Sequence, residues 1–265
     1  MSSRVTDSCV NSDARLRHRP TPSERWFRSE LLKWGKENSR PFPWRNRIPF
    51  WKAVVVEVLL QRTGADRVAP AFRLLSERFP TARAFSEATV DDLDTILAPL
   101  GLRKRGATLL ELARLLRRHG KLPRDVAGLS SIHGIGPYTV SAALSLHGQR
   151  RATIVDTNVA RVVCRFYGRK VPKIPDRDDW LRARIEALTP DECFREFNYA
   201  LLDLGAAICR SRRTHCGICP LQSHCLSADA FVDQADAPER SESSKLAVSR
   251  RGTPWRAPPT QIGPA

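Results

Sequence analysis

The chain has 265 residues, enough to bury one large core or two modest ones. Lysine and arginine number 44 against 28 acidic residues, a net charge of +16. That balance favours a polyanionic partner, most simply nucleic acid, with a solvated arginine-rich surface as the plain alternative. No stretch approaches the roughly 20 apolar residues that span a bilayer, and the polar N-terminus has no secretory core, so a cytoplasmic, reducing setting is expected.

Residues 1–20 are polar and read as disordered. SERWFRSELLKWGKEN, from Ser23, reads as a capped amphipathic helix that PFPWR (Pro41 to Arg45) ends. WKAVVVEVLLQRT, Trp51 to Thr63, reads as a strongly apolar helix. Glu57 lies inside it, and Ala53, Val54, Leu60 and Gln61, three and four positions away, offer no basic partner. A carboxylate there needs a partner from elsewhere in the fold, such as an arginine, or it carries a proton at neutral pH. Gln61 and Arg62 follow, and helical patterns recur near 66–78, 90–98 and 104–119. Arg103, Lys104, Arg105, Arg114, Arg117, Arg118, Lys121 and Arg124 concentrate basic charge in one stretch.

SIHGIGPYTVSAAL, residues 131–144, breaks the chain between two helices. Gly134 and Gly136 are read as taking backbone angles barred to other residues, with Ile132 and Ile135 as core anchors. Pro137 suits the first turn of the next helix, whose unpaired N–H groups can hold a phosphate without reading sequence. A plain helix–helix turn would look the same. Tyr138 stands at the mouth of the turn, where a packing role is the alternative. Asp156 in VDTNVARV lies 18 residues further on. Asp156 reads as a helix N-cap held ionised by backbone N–H groups. Helical patterns continue near 137–147, 157–167, 177–188 and 192–208, and no alternating run reads as a strand.

Of the seven cysteines, four form Cys209-x6-Cys216-x2-Cys219-x5-Cys225. Four thiols in 17 residues favour a metal centre, zinc or iron–sulfur. Cys9, Cys164 and Cys193 fall outside the pattern and read as bystander or core residues. Residues 230–265 are low in complexity and read as a disordered tail. The fold class expected is all-α.

The hairpin, Tyr138, Asp156 and the cysteine spacing together resemble the helix-hairpin-helix DNA glycosylase superfamily. That superfamily contains endonuclease III, the mismatch adenine glycosylases and the thymine–guanine mismatch glycosylases. The match runs from about Pro41 to Cys225. It implies a six-helix barrel over 42–156, and a second helical domain from 21–41 plus 157–229 that carries a [4Fe-4S] cluster on Cys209, Cys216, Cys219 and Cys225. A cleft between them would be the active site. It further implies a catalytic set of Asp156, Glu57 and Tyr138. Gly134, Ile135, Gly136, Thr139, Gln61, Arg62 and Arg103 would contact DNA. The partner implied is double-stranded DNA with a mismatched or damaged base, bound by a monomer in a bacterial-type nucleoid.

Within the superfamily the departures point to the thymine–guanine branch. Enzymes that cleave the strand carry Lys at the position of Tyr138, and a phenol cannot form a Schiff base. The adenine enzymes have a small Ser there, a Gln wedge where Arg62 stands, and paired tyrosines that LGLRKRG (Leu100 to Gly106) lacks. Only 40 residues follow Cys225, too few for the domain that reads oxidised guanine. The expected activity is therefore hydrolytic removal of thymine or uracil opposite guanine. An adenine glycosylase is the second reading, and a DNA-binding protein on the same scaffold a third.

Overall fold

A computed structural model of the chain describes residues 22–228 and 230. The segments expected to be disordered, 1–20 and 230–265, lie outside them except for residue 230. Among the described residues there are eleven α-helices and no strand. They are α1 (Pro22–Asn38), α2 (Phe50–Leu60), α3 (Ala65–Arg78), α4 (Ala82–Ser86), α5 (Val90–Leu97), α6 (Gly106–His119), α7 (Val126–Ser130), α8 (Pro137–Ala142), α9 (Thr157–Phe166), α10 (Asp179–Leu188) and α11 (Phe194–Ala207).

The all-α expectation holds. Two helices were not legible in the periodicity: α4 and α7 have five residues each, too short to repeat an apolar stripe. Side chains start them instead, because Thr81 and Asp125 accept from backbone N–H groups three positions on.

The helices pack on two cores. The first is built by α2 to α8, with α2 at its centre; every residue from Phe50 to Leu59 is buried. The second is built by α1 and α9 to α11, closed by Leu221. Cys164 lies in that second core, and Cys193, read as a bystander or core residue, is disulfide-bonded.

A buried ion pair joins the two halves. Asp203 of α11, 1% exposed, accepts from Arg45 Nη1 at 2.6 Å and Nη2 at 2.7 Å, and from Arg40 Nε at 2.5 Å. Removing one partner would strand a buried charge at a cost of about 3–5 kcal/mol.

Helix α2 ends at Leu60, three residues sooner than expected. Arg62 then takes φ +53°, the left-handed region, which costs a side-chain-bearing residue roughly 1 kcal/mol or more. Arg105 holds the break in place, its Nη1 donating to the Leu59 carbonyl at 2.8 Å. Past α8 the helix continues as a π-turn, Ala143–His147, where Gly148 N donates to Ala143 O at 2.9 Å. The extra residue in that turn carries His147 to its end, against α2.

Candidate active site

A groove of about 1350 Å³ runs between the halves. The first half contributes Gln61, Arg62, Arg103, Lys104, Arg105, Gly136, Pro137, Tyr138 and Thr139; the second contributes Asp156, Thr157 and Asn158. Segments up to 116 residues apart thus meet in one groove, as from Leu60 to Asp176. Four cations, Arg62, Arg103, Lys104 and Arg105, line the groove together with the start of α8, which suits a nucleic-acid backbone.

The hairpin is built by one glycine rather than two. Gly134 has φ +83°, and a Cβ there would lie 2.2 Å from Thr108 Oγ1. Gly136 has φ −87° and ψ 173°, ordinary extended backbone, and a Cβ there meets nothing within 4 Å. The reading that both glycines need special angles is therefore corrected. Gly136 is the N-cap of α8 and keeps open the approach to that helix start.

Gly134 and Ile135 do not line the groove. Ile135 is a buried anchor, as read from the sequence. The Thr139 side chain is also buried, and its Oγ1 accepts from Gln61 Nε2 at 3.0 Å. The same amide donates to the Gly134 carbonyl at 2.9 Å. Gln61 therefore ties the end of α2 to the hairpin, while exposed Arg62 beside it faces the groove.

Asp156 is the N-cap of α9. Its Oδ1 accepts from Val159 N at 2.7 Å, and its Oδ2 from Asn158 Nδ2 at 3.0 Å. The cap was expected to hold the carboxyl ionised. Burial outweighs those bonds and the Arg161 charge, and lifts the carboxyl above its ordinary range. Arg161 is itself a brace. Its Nε donates to Cys209 O at 2.5 Å, and its Nη2 to Gly205 O at 2.6 Å and Asn158 Oδ1 at 2.9 Å.

Glu57 does not line the groove; it is 1% exposed. Its partner is not an arginine. His147 Nε2 lies 3.7 Å from Glu57 Oε1, both side chains 2% exposed. The same nitrogen is 3.4 Å from Tyr199 Oη. Burial first, then the charges of Glu57 and Asp156 and the Tyr199 phenol, push the Tyr138 phenol well up. Burial and the Glu57 charge do the same to Tyr199. Both phenols therefore stay protonated and able to donate.

Periodicity did not disclose His147, Tyr199, Asn158 or Arg161. One signal was available: a lone polar residue inside an apolar run, which marked Glu57, also marks Asp203 and Tyr199 in FNYALLDLG.

The four loop cysteines are free thiols, each partly buried. Among the described residues no group of three or more His, Cys, Asp or Glu stands in a metal-holding arrangement. The thiols nevertheless feel one another. Burial first, then Cys209, Cys225 and Cys216, push Cys219 up to about 12. Arg165 Nη1 approaches Cys209 Sγ at 3.5 Å, and Cys225 Sγ lies 3.6 Å from the Arg165 carbonyl. Four thiols with a guanidinium at hand are a donor set that suits an anionic thiolate cluster.

A family model described as HhH-GPD superfamily base excision DNA repair protein matches residues 55–179. Thymine/uracil-DNA glycosylase of Pyrobaculum aerophilum is 31% identical over 205 residues, covering 75% of this chain and 89% of the relative. Adenine DNA glycosylase of Mycolicibacterium smegmatis is 38% identical over 200 residues, covering 74% and 67%. The solved structure of a thermostable thymine-DNA glycosylase superposes with a TM-score of 0.72 at 26% identity, covering 78% of this chain and 97% of that one. Groove, hairpin and capping aspartate thus stand on a shared frame, and the chain belongs to the HhH-GPD superfamily of base excision DNA repair proteins.

Proposed function

We propose that this DNA glycosylase removes thymine or uracil opposite guanine, by hydrolysis and without cutting the strand. The observation that carries the reading is the meeting of Tyr138 and Asp156 in one groove.

The basic wall of Arg62, Arg103 and Lys104 binds the duplex, and the start of α8 takes a phosphate. Arg62, held in its strained backbone, fills the space a nucleotide leaves as it swings out. A mispaired base costs less to extrude, which supplies part of the selectivity. Ionised Asp156 stabilises positive charge developing at C1′ and orients the attacking water. Tyr138 donates a hydrogen bond to a ring carbonyl. Glu57, deep to Tyr138, supplies a proton toward the departing base. The protein acts as a monomer.

Cys209, Cys216, Cys219 and Cys225 would hold a [4Fe-4S] cluster, which supplies a rigid covalent clasp for the loop when bound. The loop residues Arg210, Arg212 and Arg213 then follow the α9–α11 frame onto DNA.

The adenine reading keeps one observation in its favour: a carboxyl, Glu57, lies buried 3.7 Å from His147, and a departing adenine depends most on a placed acid. Duplexes carrying T, U or A opposite each base, scored for abasic sites, decide between the two. Borohydride trapping tests the hydrolytic step. Lys104 is the amine that lines the groove, so efficient trapping that K104A abolishes would overturn it.

A further inference from the structure

We propose that the outer side of α6 carries a second duplex-binding track, continuous with the groove, that holds phosphates of the DNA flanking the flipped nucleotide. The inference deepens the reading of the groove as the duplex site and rests on it. The observation behind it is a run of exposed cations that neither the groove nor an ion pair uses.

The sequence concentrates eight cations between Arg103 and Arg124, and the groove takes three of them, Arg103, Lys104 and Arg105. The other five are Arg114, Arg117, Arg118, Lys121 and Arg124, all exposed. Helical spacing explains where the first three stand. Leu109, Leu112, Ala113 and Leu116 bury one side of α6 in the first core. Arg114, Arg117 and Arg118, at spacings of three and four, therefore share the outward side. Glu111 is the one acid in α6, and among the described residues none of the five cations makes an ion pair.

Arg124 is fixed by a ring. Gly120 ends α6 at φ +69°, and buried Leu122 anchors the link that follows. The link brings the Arg124 guanidinium 4.7 Å from the ring centre of Phe50, at the start of α2. Arg47, exposed and three residues before Phe50, lines one pocket with Arg124. A guanidinium stacked on a ring keeps its N–H edge free for a phosphate.

The dipole of α6 favours cations in its last turn, which accounts for Arg117 and Arg118. It does not account for Arg114, or for Lys121, Arg124 and Arg47 outside the helix. Five like charges within 11 residues repel one another, and a bound polyanion relieves that repulsion.

The partner follows from charge and from continuity. Arg105 lines the groove and is also the N-cap of α6, so the groove runs directly into the helix. A helix of 14 residues is about 21 Å long. That length is roughly six base pairs of duplex at about 3.4 Å each. The track thus meets phosphates about six base pairs beyond those at Arg103 and Lys104, and it holds backbone without reading a base.

The test is binding of the full chain to two T–G duplexes over a range of salt. One has about 11 base pairs with the mismatch central, too short to reach the end of α6, and the other has about 40. R114Q/R117Q/R118Q is expected to bind the long duplex about tenfold or more weakly, with a salt slope shallower by up to about three. On the short duplex its Kd and its single-turnover excision rate should match wild type. R117Q and R118Q alone should each make the long-duplex slope shallower by about one, which keeps the test decisive if the triple variant does not fold. Equal weakening on both lengths reduces the five cations to a general attraction and overturns the inference. Wild-type binding of the long duplex by the triple variant overturns it too. R103Q/K104Q should weaken both lengths, and if it weakens neither, the reading of the groove itself falls.

Discussion

Gln61 and Gly134, 73 residues apart, are joined by a hydrogen bond of 2.9 Å from the side-chain amide to the hairpin carbonyl. With the second bond to Thr139, this makes the α2 break and the hairpin one unit. The strained backbone at Arg62 is thereby held against the hairpin. Q61A should destabilise the fold by about 1 kcal/mol, the cost of one exposed and one part-buried hydrogen bond. It should also weaken binding to duplexes with an abasic analogue more than to intact duplex, since Arg62 loses its fixed place. Equal weakening on both would separate Gln61 from the wedge.

The two hairpin glycines should fail differently. G134A puts a methyl into Thr108 and forces a left-handed angle, so a loss of about 2 kcal/mol or more is expected in thermal or urea unfolding. G136A meets open space and should melt as wild type does. Its cost should fall on DNA affinity instead, where a methyl stands between phosphate and the α8 N–H groups. A destabilised G136A would show that the residue serves packing.

Much of this was legible in the chain, and the physical reasons for the rest are specific. Long helices announced themselves by period, and Asp156 by its cap pattern. The α4 and α7 helices did not, because five residues cannot repeat a stripe. The partner of Glu57 was hidden because it lies 90 positions away, at the end of a π-turn that no α-helical period describes. The sign of the Asp156 shift also escaped, since an N-cap reads as stabilised charge until the burial around it is known.

That shift fixes a pH dependence. The Asp156 carboxyl holds its proton more tightly in the folded chain than in the unfolded one. Its contribution to stability is therefore greatest in acid and declines as pH rises through the ordinary carboxylate range to the raised value. At neutral pH the buried charge is a cost to folding, which the proposed role in excision would explain. D156N keeps the cap without the charge. It should melt no lower than wild type near neutral pH, retain DNA affinity, and lose about 10³-fold in excision rate. In wild type, excision should fall as acid protonates Asp156. An acid-independent rate, or full activity in D156N, would confine Asp156 to capping.

Protein purified without oxygen should be brown, with iron and acid-labile sulfide each near four per chain. C216S should lose iron and weaken duplex binding, with α9 still tied to α11 through Arg161. Stoichiometric zinc in place of iron would remove the cluster and leave a four-thiolate zinc site in the loop.

In the proposed reading, substrate choice turns on Tyr138. Thymine and uracil leave as anions stabilised at their ring oxygens, so donors aimed at a carbonyl suffice. Adenine leaves readily only when its ring nitrogen is protonated, so it depends on a placed acid. Glu57 as a donor would serve either chemistry and does not discriminate. Tyr138 does, because its ring narrows the groove beside Asp156, and its phenol stays protonated under the charges of both carboxylates. A narrowed pocket with a permanent donor favours a pyrimidine carbonyl over a purine edge. Excision of T and U opposite G should therefore exceed that of A opposite G by about 100-fold in kcat/KM. Y138F should keep the narrowing and lose the donor, slowing T and U without admitting A. Y138S should open the wall and shift the ratio toward A. Faster removal of A than of T by the wild type would give the adenine reading the site.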